Sequence, residues 1–454
     1  MSKVRVAVIG SGPAGVYAAD ILVKADKDFE VSIDLFDRYP APFGLIRYGV
    51  APDHPRIKGI IMALHKVMDR GDIRFFGNVD YGNDLTLADL QKHYHAVIFA
   101  TGAVKDADLN IPGTGLEGSY GAADFVSWFD GHPDVPRTWE LNAKEIAVIG
   151  NGNVALDVSR ILAKHADDLL TTEIPDNVYE GLKKSPVTDV HVFGRRGPAQ
   201  IKFTPLELRE LGKVNDVDIV LYPEDFDLDE SDMAEIESNN QTKVMMKTLQ
   251  NWLLDDEGTG ASRRLHLHFL HNPVEIKGKG GKVTGIKFEL NKLVSNGQVE
   301  GTGEFVEYPA QAVYRAIGYF GSELDQIPFD EKRGVIQNDG GRIVDNDGKP
   351  LEGLYATGWI KRGPVGLIGH TKSDAMETIK HFIEDEPNFK EPAEDIDFAK
   401  VLEEKGIEYT TWEGWLALDK HERELGGAYE GVKRERVKVV PREDMVEISR
   451  KTSS

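Results

Sequence analysis

"VRVAVIGSGPAG", residues 4–15, decides how the rest of the chain is read. An apolar run ends at Gly10, and Gly10, Gly12 and Gly15 then set out G-x-G-x-x-G before a helical pattern, "PAGVYAADILVK", residues 13–24. One glycine permits the tight turn, one lets a pyrophosphate approach the backbone, and one lets helix and strand pack closely. Pro13 suits a first helical turn, which leaves N–H groups free and the positive end of the dipole facing an anion. A second apolar strand, "EVSIDLFD" (30–37), ends on Asp37, where an acid hydrogen-bonds the ribose of an adenine dinucleotide.

The pattern recurs. "KEIAVIGNGNVALDVSRIL" carries Gly150, Gly152 and Ala155 as G-x-G-x-x-A between a strand and a helix. The next strongly β-like stretch, "TDVHVFGRRGP", is the expected second strand of that unit. Its tip holds Arg195 and Arg196 where the first unit has Asp37. An acid there repels a 2′-phosphate, whereas guanidinium groups bind one through forked, charge-assisted hydrogen bonds. The first site therefore suits FAD or NAD and the second NADP(H). The bland alternatives are a degenerate second copy and solvated surface arginines.

Composition is consistent with this. A chain of 454 residues with 41% hydrophobic and 29% charged residues is an ordinary globular protein of two or three domains. A formal net charge of −22 argues against nucleic acid or anionic membrane as the main partner. With no cysteine, this chain holds no disulfide, no redox Cys-x-x-Cys pair and no cysteine-ligated cluster. Any redox chemistry runs through a bound cofactor. No segment has the length of a membrane-spanning helix, and the strand pattern begins by Val4, so a cytoplasmic protein, or an already processed one, is expected. Near the end, "LYATG" (354–358) echoes "AVIFATGA" (96–103) as a strand returning to the first sheet. Trp359 beyond it fits either a core position or a ring beside a flavin.

Five stretches, "VIGSGPAGVYAAD", "FGLIRYGVAPDHPRIK", "VIGNGNVALDVSRIL", "VFGRRGPAQIKFTPLELRE" and "ATGWIKRGPVGLIG", together resemble the adrenodoxin-reductase-like branch of ferredoxin–NADP(+) reductases. The resemblance implies an α/β fold of two Rossmann-like dinucleotide-binding domains, with the NADP domain (108–317) inserted into a discontinuous FAD domain (1–107 and 318–454). It implies FAD contacts from Gly10, Gly12, Ala14, Gly15, Asp37, Gly44, Leu45 and Val79, with Trp359, Gly366, Leu367 and Ile368 around the isoalloxazine. For NADP(H) it implies Asn151, Gly152, Asn153 and Val154 at the pyrophosphate, Arg195 and Arg196 at the 2′-phosphate, and Glu207 and Gly366 near the nicotinamide. His54 falls near the flavin and the partner-facing surface. Glu207 and His54 are its candidates for a catalytic role, without covalent catalysis. The implied activity passes a hydride from NADPH to FAD and single electrons to a ferredoxin-type iron–sulfur protein, in a monomer.

Read from the residues alone, Glu207 is an ordinary helix-surface carboxylate and His54 a loop histidine. His266 and His268 alternate on one strand face; a solvent-facing strand is expected rather than a metal site. An acidic reductase docking an acidic carrier has to concentrate its cations; Lys243 and Lys247, four apart, with Arg209 and Lys213, are the candidates, against a merely solvated lysine face. The rival readings are a flavin monooxygenase and a non-catalytic redox sensor. A glutamate-synthase-type electron-input subunit, which carries cysteine-ligated clusters, is disfavoured by the absence of cysteine.

Overall fold

The computed structural model describes residues 2–54, 59–255, 257–366 and 368–451. Strand β1 (Lys3–Ile9) is buried almost throughout, as expected of a central strand in a parallel sheet covered on both faces. It pairs in parallel with β2 (Glu30–Phe36) on one side and β4 (Ala96–Phe99) on the other, and β3 (Ile73–Phe76) lies beyond β2. The register sets Ile9 level with both Phe36 and Phe99. Gly10, Asp37 and Ala100 therefore leave the sheet side by side at its carboxyl edge, where ligands bind in such folds. Helix Pro13–Lys24 begins at the turn with the proline in its first position.

The chain leaves this sheet through β5 (Lys105–Asp106). A second parallel sheet follows, built from β6 (Ser119–Gly121), β7 (Glu145–Ile149), β8 (Asp189–Phe193), β9 (Val217–Leu221) and β10 (Arg263–His268). An antiparallel meander, β11 (His271–Lys279), β12 (Lys282–Leu293) and β13 (Val299–Pro309), precedes β14 (Ala312–Arg315), which completes the order β6-β14-β7-β8-β10-β9. β15 (Tyr319–Phe320) then pairs with β5, so the outgoing and returning strands form one short ribbon. The hairpin β16 (Phe329–Asp330) and β17 (Val335–Ile336) leads to β18 (Asn338–Asp339), β19 (Arg342–Val344) and β20 (Pro350–Ala356), which rejoin the first sheet beside β4. The sheet order β18-β19-β20-β4-β1-β2-β3 thus unites both ends of the chain.

The first sheet carries apolar cores on both faces, one including helices Pro13–Lys24 and Ile368–Asp385, the other reaching Phe398 and Leu402. The second sheet is covered differently on its two faces. Helices cover one face, but Ile276, Val283, Ile286 and Phe288 of the meander cover the other against Ile149, Phe193 and Val313. That layer is β because "IKFEL", residues 286–290, alternates apolar and charged residues with period two.

The C-terminal region does more than cap the first sheet. Helix Trp412–Gly427 buries Trp412, Trp415 and Leu418 in the first core. The segment after it buries Arg434, Arg436 and Lys438, alternate residues of the chain, each against a carboxylate. Arg436 meets Glu422 at 3.0 Å and Asp419 at 2.6 Å, Lys438 meets Glu173 at 3.1 Å, and Arg434 meets Asp176 at 2.7 Å. Glu422 also holds Arg47 through both oxygens, at 2.8 and 2.7 Å. Glu173 and Asp176 lie between β7 and β8, so this segment straps one sheet's domain to the other's.

Candidate functional site

Gly10 (φ +113) and Gly150 (φ +147) occupy equivalent turns. A Cβ on Gly10 would lie 2.2 Å from the Ala100 carbonyl oxygen, and one on Gly150 2.2 Å from that of Ala316. No side chain can stand at either place. Gly15 abuts the Gly10 carbonyl, while Ala155 fills the matching position in the second turn. Neither following helix has a side-chain cap, its N-cap being Gly12 in one and Gly152 in the other. The first-turn N–H groups of both helices are left to an anion.

Asp37 is buried at the end of β2, 7% exposed. Its Oδ2 accepts hydrogen bonds from Ser11 N at 3.0 Å and Ser11 Oγ at 2.5 Å, and its Oδ1 accepts from Tyr39 N at 2.9 Å. Burial pushes the carboxyl pKa up, against those hydrogen bonds, which favour the anion. Val79 N bonds the Asp37 carbonyl at 2.9 Å, and a Cβ on Gly44 would come within 3.0 Å of the Gly12 Cα, so both close on the first turn.

At the second turn the arginines are not equivalent. Arg196 is half-buried and donates from Nε to the Gly297 carbonyl at 2.9 Å, whereas Arg195 is exposed. Segment 202–204 lies along the turn: Lys202 N donates to the Asn151 carbonyl and Thr204 N to Asn153 Oδ1, each at 3.2 Å.

Both turns open on one cleft of about 1610 Å³. Gly10, Gly12, Ala14, Asp37, Gly44, Leu45, Val79, Trp359 and Gly366 line it, as do Asn151, Gly152, Asn153, Val154, Arg195, Arg196 and Glu207. Trp359 is thus half-buried at the cleft, outside the core. Ile368 opens helix Ile368–Asp385, and Leu367 lies outside the described residues.

Glu207 is not on the surface; it is 5% exposed. His54, 6% exposed, sits behind it with Nε2 2.9 Å from Glu207 Oε2 and 2.8 Å from Asp157 Oδ1. Burial opposes charge on His54, but hydrogen bonds to Asp157 and Glu207 outweigh it and raise its pKa to about 9. The fully buried Arg160 completes the cluster. It grips Asp53 at 2.8 and 2.9 Å and reaches Asp157 at 2.9 Å and His54 Nε2 at 2.8 Å. Three acids and a histidine resemble a metal site in outline, but the guanidinium already occupies the place of the cation. Asp157, Arg160, Asp53 and Ser11 escape sequence reading; the only signal is the i, i+3 spacing of Asp157 and Arg160 on one helix.

The expectation for His266 and His268 is corrected: both are buried, under the meander. His191 and His266 stack at 4.0 Å and 9°, and His191 Nδ1 shares a hydrogen bond with His268 Nε2 at 2.8 Å. Burial lowers His191 to about 3 and His268 to about 2. A metal has to lie in the plane of each imidazole that binds it, and parallel stacked rings offer no common point. His266 is moreover held at both nitrogens, by Asp189 and Tyr222. The stack is a polar core layer.

The docking candidates are exposed, Arg209 on helix Pro205–Leu211, Lys213 just beyond it, and Lys243 and Lys247 on the adjoining helix Asn240–Leu254. Lys243 pairs with Glu237 at 2.9 Å and Lys213 with Glu210 at 3.4 Å. Among the described residues no helix is long and apolar enough to cross a membrane.

The pyridine nucleotide-disulphide oxidoreductase family matches residues 4–191. The NADPH-ferredoxin reductase FprA of Mycobacterium tuberculosis is 41% identical over 443 residues, 94% of this chain and 95% of that one. The mitochondrial NADPH:adrenodoxin oxidoreductase of Arabidopsis thaliana is 37% identical over 441 residues, 93% and 91% of the two chains. The solved structure of M. tuberculosis FprA in complex with NADPH superimposes with a TM-score of 0.89 at 40% identity, covering 98% of this chain and 99% of that one. Two uncapped dinucleotide turns, one beside a buried acid and one beside an arginine pair, agree with these likenesses, and the chain belongs to the adrenodoxin-reductase-like family of NADPH–ferredoxin reductases.

Proposed function

We propose that this chain is an FAD-dependent NADPH–ferredoxin reductase. The observation that carries the reading is that two dinucleotide turns of opposite charge preference open on one cleft. Its volume, about 1610 Å³, exceeds the roughly 300–1,000 Å³ of a single-ligand pocket. FAD fits the first turn on the structure's own terms: the backbone leaves no room for a Cβ at Gly10 or Gly15, the helix start is uncapped, and a buried carboxylate faces the cleft. When bound, the flavin supplies the conversion of one hydride from NADPH into two single electrons for an iron–sulfur carrier.

The chain's own groups bind, orient and hold protons. The N–H groups opening helix Pro13–Lys24 receive the FAD pyrophosphate, and Asp37, positioned by Ser11, accepts from the ribose. Gly12, Ala14, Gly44, Leu45 and Val79 wall that half, and Trp359 with Gly366 covers the isoalloxazine side. Asn151, Gly152, Asn153 and Val154 receive the second pyrophosphate, while Arg195 and Arg196 clasp the 2′-phosphate. Glu207 accepts from the nicotinamide carboxamide. His54 keeps its proton at Nε2 at neutral pH and so holds the Glu207 carboxyl group in place.

The boundaries we assign are 1–107 and 318–454 for the FAD unit and 108–317 for the NADP unit, supported by the ribbon of β5 and β15 at the crossing. The chain is read as a monomer because the cleft is built wholly from one chain. It is read as cytoplasmic because nicotinamide coenzymes and reduced ferredoxins are held inside cells. An acidic ferredoxin-type protein docks near Lys243, Lys247, Arg209 and Lys213 in this reading. The test is steady-state NADPH-dependent reduction of a ferredoxin coupled to cytochrome c. Turnover is expected. Stoichiometric oxygen consumption with a hydroxylated product, or no turnover by flavin-loaded protein, would favour a monooxygenase or a redox sensor instead.

A further inference from the structure

We propose that Lys202 is a third cation of the nicotinamide-dinucleotide site, binding the pyrophosphate common to NADPH and NADH rather than the 2′-phosphate that distinguishes them. The inference rests on the reductase reading and adds a residue to it. Lys202 is tied to the second turn by its own backbone, donating its N–H to the Asn151 carbonyl at 3.2 Å. Two residues on, Thr204 N bonds Asn153 Oδ1 at 3.2 Å, so the segment follows the rim of the turn. The Lys202 residue is exposed and lines the cleft.

Its charge is uncommitted. Among the described residues no carboxylate pairs with the Lys202 ammonium, whereas Lys164 is held by Asp53 at 3.1 Å and Lys361 by Asp374 at 2.9 Å. The carboxylates on that side of the cleft, Asp157 and Glu207, are engaged by His54 and Arg160. An unpaired lysine in the cleft beside a helix start prepared for an anion has one evident use.

The placement of charge around the cleft also favours it. Its lining cations are Arg38, Arg195, Arg196 and Lys202, and all but Arg38 lie within residues 195–202, beside the second turn. Arg38 is bound to the Tyr39 hydroxyl at 2.9 Å. A resident dinucleotide can rely on backbone N–H groups alone. A coenzyme that enters and leaves at each turnover has to approach a chain of net charge −22, and an unpaired cation beside its binding turn counters that field. The arginines at the tip of β8 then read the 2′-phosphate, and the lysine seven residues beyond Arg195 holds what both coenzymes share.

The experiment compares Lys202→Ala, Lys202→Arg and Arg195→Ala in the flavin-loaded enzyme, with a neutral quinone as acceptor. Two inhibitors separate the subsites: ADP-ribose carries the pyrophosphate without a 2′-phosphate, and 2′-AMP the reverse. Lys202→Ala should raise KM for NADPH and NADH by a similar factor, about ten-fold, and weaken ADP-ribose equally while sparing 2′-AMP. Lys202→Arg should recover most of the loss. Arg195→Ala should show the opposite pattern, losing NADPH and 2′-AMP but not NADH or ADP-ribose. Loss confined to NADPH and 2′-AMP in Lys202→Ala, or no change beyond two-fold in any of the four, overturns the assignment. If the wild-type enzyme turns over NADPH and Lys202→Ala is unaffected, only the lysine's role falls; if the wild type does not oxidise NADPH, the reductase reading falls with it.

Discussion

Replacing Glu207 by glutamine should lower the pKa of His54 by about one pH unit. The wild-type ring is buried, with Nε2 within 2.8 Å of Asp157 and 2.9 Å of Glu207. Burial favours the neutral ring, yet the two carboxylates carry its pKa from 6.5 to about 9, about 3 kcal/mol in favour of the cation. Two acceptors at nearly equal distance share an effect that also offsets the burial penalty, so losing one anion removes at least roughly 1.4 kcal/mol. The sign for stability follows: a histidine with a raised pKa stabilises the fold fully below its unfolded value, and that contribution disappears as pH rises through about 9. In Glu207→Gln the loss should be smaller and complete at a lower pH. The assay is an NMR titration with carbon-labelled histidine, the His54 signal among the 13 histidines being assigned by its absence in His54→Asn. A wild-type His54 titrating near 6.5, or an unmoved midpoint in Glu207→Gln, would refute the reasoning.

Arg195→Ala should lower kcat/KM for NADPH about 10- to 100-fold and that for NADH less than about two-fold, since one charge-assisted pair is lost only with the phosphorylated coenzyme; equal loss for both returns Arg195 to a structural role. Glu422→Gln should destabilise the protein by about 3–5 kcal/mol in urea unfolding, because the fully buried carboxylate holds Arg47 and Arg436 and accepts the Val439 N–H at 2.8 Å; an unchanged midpoint would show that those cations find other partners. Lys243→Glu combined with Lys247→Glu should weaken reduction of a ferredoxin while sparing ferricyanide reduction, and equal effects on both acceptors would remove these lysines from docking.

What could be read in advance is what the backbone itself demands. Gly10 and Gly150 announce themselves because each has a positive φ and a carbonyl where a Cβ would stand. Asp37 and Arg195 are legible because each lies within two residues of the end of a strand that runs beside those turns. The cluster of His54, Asp157, Arg160 and Glu207 is not, because its members come from three separate segments that only the packed sheets bring together. Strand parity places His266 and His268 on one face, but whether water or the meander covers that face depends on residues 271–309 folding back over it. Arg434, Arg436 and Lys438 carry no sequence signal of burial; it follows from acids supplied by both halves of the molecule.

The most direct test of the central claim is an anaerobic titration of the flavin-loaded protein with NADPH and, separately, NADH, following the visible flavin absorbance. The account predicts bleaching by one NADPH per flavin, a far weaker response to NADH at the same concentrations, and recovery of the colour on adding oxidised ferredoxin. A preparation that binds no flavin, or one bleached equally well by NADH and NADPH, would contradict it.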